Sequence, residues 1–87
     1  MRHRSKAGNR NMVGSNIIRI RKEKHLAQME LLSKIQLLGS DMNQAKLSRI
    51  EGQEIGINDF DLYTIAKALN VTVDELFNGE YGANTAE

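Results

Sequence analysis

Ala45, Ser48 and Arg49 stand at i, i+3 and i+4 of the segment QAKLSRIE, so they share one side of any helix built from it. A guanidinium can bond guanine at O6 and N7, and an alanine methyl can meet a thymine methyl, which is the chemistry of reading base edges. The other side of the segment carries Leu47 and Ile50, which point inward. Other chemistry finds little support. There is no cysteine, which excludes a disulfide framework, a thiolate nucleophile and a zinc finger. His3 and His25 have no carboxylate or cysteine at ligand spacing and read as surface residues, so no metal is expected. No Ser-His-Asp set or phosphate loop is present, and 87 residues make one domain with little room for a cleft. The expectation is a protein that is not an enzyme and takes no cofactor or small-molecule ligand.

The elements that must position these residues are helical. The chain has no proline, only two tyrosines and two phenylalanines, and many Leu, Ile, Lys and Glu. Val13, Ile17, Ile20 and Leu26 predict a first helix over 12–24 with Asn11 as its N-cap. Leu31, Ile35 and Leu38, with Leu32 beside them, predict a second helix over 28–38 that Gly39 closes in the left-handed conformation. Asn43 caps a third helix that runs to Glu51 and stops at Gly52. Two helices joined by a tight glycine turn have the build of a helix-turn-helix. Asn58 followed by Asp61 comes close to a capping box for a fourth helix, whose Leu62, Ile65, Ala66 and Leu69 form one face. Thr72 and Glu75 form a capping box for a short fifth helix, VDELF, closed by Gly79. Phe60, Leu76 and Phe77 are the expected large core residues. The predicted organisation is a flexible basic arm over 1–11, a helical domain over 12–79 and a loose tail over 80–87.

The net charge of +1 hides a steep gradient. Residues 1–24 carry eight basic side chains, including Arg2, Arg4, Lys6 and Arg10, against Glu23 alone. Residues 50–87 carry eight acids against Lys67 alone. A polyanion would meet the first half of the chain and be turned away by the second. No apolar run approaches the roughly 18 residues of a membrane span, and the basic start lacks the apolar stretch of a secretory signal. The expected location is the cytoplasm.

RIRKEKHLAQ, KLSRIEG and LYTIAKALNVTVDELF, in this order and spacing, resemble the lambda-repressor-like or XRE-type (Cro-like) helix-turn-helix family over residues 13–77. The resemblance implies an all-α, five-helix domain that binds operator DNA, usually as a twofold dimer. It places Gln28 on a phosphate or a base, Gln44 and Ala45 at the start of the recognition helix, and Arg49 at a later base-facing position. Glutamine chemistry agrees, because its amide can bond adenine bidentately at N6 and N7. Lys46 on the flank, Asn43 and the helix amides suit phosphate. The resemblance also implies a fold-fixing salt bridge between Arg21 and Glu51. Three departures stand out. QLLGSDM lengthens the region between the second and third helices, which predicts a second helix extended by a turn. Ala27 stands where the family has a capping Ser or Thr, a loss of about 1 kcal/mol. Gly52, Gln53 and Glu54 stand where the family often has basic residues that meet phosphate, which implies either weak affinity or compensation by the arm at Arg2, Arg4, Lys6 and Arg10.

The expected function is a sequence-specific transcriptional regulator, a repressor of phage, plasmid or operon-autoregulating type. Its recognition helix would lie in the major groove of double-stranded DNA, on a palindromic operator. The expected dimer is weak and uses Leu76, Phe77 and Tyr81. The alternative is an antitoxin-like module that keeps the fold but docks a protein partner through its acidic C-terminal half.

Overall fold

The computed structural model describes residues 11–77, which form five α-helices and, among the described residues, no strand. They are α1 (Gly14–Glu23), α2 (Gln28–Leu37), α3 (Gln44–Glu51), α4 (Asp59–Leu69) and α5 (Val73–Phe77). The fold is all-α. α1 packs on α3 and α5, α2 on α3 and α4, and α4 on α5. Each helix sends its apolar stripe to one core: Ile17 and Ile20 from α1, Leu31 and Ile35 from α2, Leu47 and Ile50 from α3, Ile65 and Leu69 from α4, and Leu76 from α5.

Side chains fix most helix starts. Asn43 Oδ1 accepts from the Lys46 amide at 2.8 Å and Asn58 Oδ1 from the Asp61 amide at 2.8 Å. Thr72 and Glu75 exchange both bonds of their capping box, at 3.1 and 2.8 Å. At α2 the Ala27 side chain supplies no acceptor, but Glu30 Oε1 reaches back to the Ala27 amide at 2.7 Å, half of a capping box. Helix ends use the left-handed conformation at His25, Gln53 and Asn70, with φ of 57°, 60° and 61°, and at Gly39, with φ of 99°. After α1, the Leu26 amide bonds Arg21 O and the His25 amide bonds Lys22 O, a Schellman closure without glycine.

Several expectations need correction. α1 starts at Gly14, not residue 12, and its N-cap position is Val13. Asn11 does serve the helix start, because its Oδ1 accepts from the Val13 and Gly14 amides at 3.2 and 2.9 Å. It is also buried, and its Nδ2 donates to Ile50 O and Ile55 O at 2.8 and 3.0 Å. α2 takes only Gln36 and Leu37 of QLLGSDM; the rest is a connection in which Gln36 Nε2 bonds Met42 O at 2.9 Å. Leu38 is 48% exposed and Phe60 53%, so neither belongs to the core: Leu38 lies past the helix end, and Phe60 lies on the outer face of α4. Met42, from the connection, is buried in their stead. Leu76 is fully buried, which removes it from any dimer surface. The arm residues Arg2, Arg4, Lys6 and Arg10, and also Gly79 and Tyr81, lie outside the described residues.

Candidate nucleic-acid interface

α3 presents Gln44, Ala45, Ser48 and Arg49 to solvent and buries Leu47, Ile50 and Glu51. Eight residues are too few to hold a helix in water, since isolated helices under about 12–15 residues are marginal, so this one is held by its neighbours. Arg21 Nε donates to Glu51 Oε2 at 3.0 Å and Arg21 Nη2 to Glu51 Oε1 at 3.2 Å, a bidentate pair whose side chains are 13% and 4% exposed. α1 also lies close against the end of α3, because a Cβ on Gly14 would run into Ile50 O and Gln53 Cγ.

Gln28, at the start of α2, joins the outer face of α3 to this anchor. Its Nε2 donates to Glu51 Oε1 at 3.0 Å and to Ser48 Oγ at 3.2 Å. Its Oε1 accepts from Gln44 Nε2 at 3.3 Å and from Ser48 Oγ at 3.4 Å. Gln44 keeps its carbonyl oxygen and one amide hydrogen, the acceptor and donor that an adenine edge requires. Arg49 is exposed and its side chain has no hydrogen bond or ion pair among the described residues, so its guanidinium is available.

Two residues on the flank already have partners within the fold. Lys46, assigned to phosphate, has its Nζ 3.0 Å from Asp61 Oδ2, with the two side chains 42% and 6% exposed. Asp61 therefore pairs with Lys46 and does not complete a capping box at α4. The Oδ1 of Asn43 is engaged by the N-cap of α3, while the residue itself is exposed beside the helix amides.

Gln53, by sequence no more than a missing basic residue, has a structural part. Its Nε2 donates to Asn11 O at 3.0 Å, tying the end of α3 to the chain that enters α1. Asn16, which sequence reasoning passes over, is buried and bonds Leu76 O at 2.8 Å, fastening α5 to α1. Their signal is faint, since asparagine and glutamine inside a helical pattern usually face solvent. Among the described residues no group of three or more His, Cys, Asp or Glu could hold a metal ion, and no helix is long and apolar enough to cross a membrane.

A crystal structure of the hypothetical transcription factor NHTF from Neisseria superposes on this chain with a TM-score of 0.72. The match covers 100% of this chain and 94% of that one, at 17% sequence identity. A likeness at that identity concerns the fold alone. No protein-family profile and no curated protein matches the chain.

Proposed function

We propose that the chain is a sequence-specific DNA-binding transcriptional regulator that lays α3 in the major groove. One observation carries this reading: the exposed residues of α3 include an Arg49 whose guanidinium is free and a Gln44 oriented by Gln28, on a helix clamped to the core. An amide held in this way matches an adenine edge, and an unpartnered guanidinium matches guanine. The likeness to a structure called a hypothetical transcription factor supports the same reading. One such helix reads few base pairs, so the regulator pairs two copies on a palindromic operator, acting as a repressor. With Leu76 buried, that pairing does not use Leu76, one of the three residues first expected at its interface. The basic arm, with Arg2, Arg4, Lys6 and Arg10, adds phosphate contacts that the residues after α3 do not supply.

The test is selection of bound sequences from a random duplex pool, followed by a salt titration of wild type and Arg49→Ala. A recovered palindrome supports the reading. Arg49→Ala should then cost roughly 1–3 kcal/mol on the selected site and relax preference at one base pair, with the non-specific salt slope unchanged. Equal weakening on selected and scrambled duplexes would remove Arg49 from base reading. Absence of any salt-sensitive binding would leave the protein-docking alternative.

A further inference from the structure

Leu37 is the most exposed large apolar side chain among the described residues, at 86%, and its neighbour Leu38 is 48% exposed. Neither is needed to end α2, because Gly39 turns the chain with φ of 99° and its amide bonds Gln36 O. Both leucines line a groove of about 210 Å³ between α2 and α4, together with Lys34, Lys67 and Ala68. That volume is below the roughly 300–1,000 Å³ of small-molecule sites, and suits one or two side chains of a macromolecule. The lining holds two lysines and no acid.

We propose that this groove docks an acidic amphipathic helix of a partner protein. The partner's apolar residues seat against Leu37, Leu38 and Ala68, and carboxylates on its flanks meet Lys34 and Lys67. Charge selects this occupant over a second copy of the chain. A twofold contact through the same groove would set lysines against lysines, which opposes association. Position makes the site compatible with an engaged α3. Lys34 and Leu37 are about 160° and 100° around α2 from Gln36, whose amide bonds the connection leading to α3. The inference does not rest on DNA binding and needs none for its test.

The experiment is amide chemical-shift mapping on the full chain with a synthetic probe. The probe is a helical peptide with leucines at i, i+3, i+4 and i+7 and glutamates on both flanks; its counterpart has lysine at every glutamate. The acidic peptide is expected to shift Lys34, Leu37, Leu38, Lys67 and Ala68, and the basic one to leave them in place. Leu37→Ser should weaken the acidic peptide roughly tenfold. Lys34→Glu with Lys67→Glu should reverse the preference, and all three sites are exposed enough to spare the fold. Equal response to both peptides, no response, or shifts confined to other surfaces would overturn the proposal. So would the same residues shifting when the free protein is diluted, which identifies a second copy. Shifts there on removing residues 78–87 would identify the chain's own tail as the occupant and also overturn it.

Discussion

Removing the Glu51 carboxylate should unlatch α3 from α1, and the contacts set the scale. Glu51 accepts three hydrogen bonds, from Arg21 Nε at 3.0 Å, Arg21 Nη2 at 3.2 Å and Gln28 Nε2 at 3.0 Å. In Glu51→Ala the guanidinium keeps one acceptor, Leu26 O at 3.1 Å, while its side chain remains only 13% exposed. Breaking a buried pair from one side costs about 3–5 kcal/mol. The residual exposure of Arg21 puts Glu51→Ala near the lower end, about 3 kcal/mol. For a domain of this size that corresponds to a melting point lower by roughly 12–24 °C. Arg21→Ala leaves the carboxylate with Gln28 alone and should cost a similar amount. The double variant should cost less than the sum of the singles, by as much as about 3 kcal/mol. Arg21→Met with Glu51→Leu, which fills the space with apolar groups, should approach wild type. Thermal melts followed by circular dichroism in one buffer measure all of these. Single-variant losses that add to within about 0.5 kcal/mol would show that the pair is not coupled and that α1 does not fix α3 through it.

Three further outcomes follow from particular contacts. Gly14→Ala should destabilise the fold by about 1–3 kcal/mol, since its Cβ meets the Ile50 carbonyl of the backbone and not a movable side chain; an unchanged melting temperature would show that α1 and α3 are further apart. Asp61→Asn should release Lys46 to phosphate, raising affinity on every duplex and steepening the salt slope by about 0.9; an unchanged slope would show that Lys46 does not reach DNA. Deleting residues 1–10 should weaken binding on all sequences alike and shrink the salt slope by about 0.9 for each phosphate that the arm no longer neutralises, with the order of preferred sequences kept; a changed order would assign the arm to base reading.

What the sequence made legible was mostly local. Asn43, Asn58 and the Thr72–Glu75 pair announce helix starts because a cap acts within three residues. The inward turn of Leu47, Ile50, Ile65 and Leu69 follows from spacing alone. Side-chain size misleads where helix face should decide: Phe60 and Leu38 are large and apolar, yet they stand outside. Asp61 suits a cap by position but finds its partner on another helix, and no local pattern encodes Lys46 beside it. The Arg21–Glu51 bridge is legible only through resemblance, its partners being separated by thirty positions in the chain. Asn11 and Gln53 escape notice as anchors because their bonds cross from the start of α1 to the end of α3.

That crossing also answers the difficulty raised by the longer α2–α3 connection. If the turn set the pose of α3, additional residues there would loosen it. Its pose is instead held by α1 and the chain entering it: Asn11 on Ile50 O, Gly14 beneath the same carbonyl, Arg21 on Glu51 and Gln53 on Asn11 O. Doubling a flexible loop costs only about 0.6 kcal/mol, far less than leaving either partner of the bridge unpaired, so the connection can vary with little effect on where Gln44 and Arg49 point. Within α2, Gln28 at one end serves α3, while Leu37 at the other is left to solvent beside Lys34. A clamped α3 and an uncovered end of α2 let one small fold carry two separate surfaces. Substitutions in the groove should therefore leave the α3 face unaltered, whereas substitutions in the Asn11–Arg21–Glu51 clamp should disturb that face without touching it.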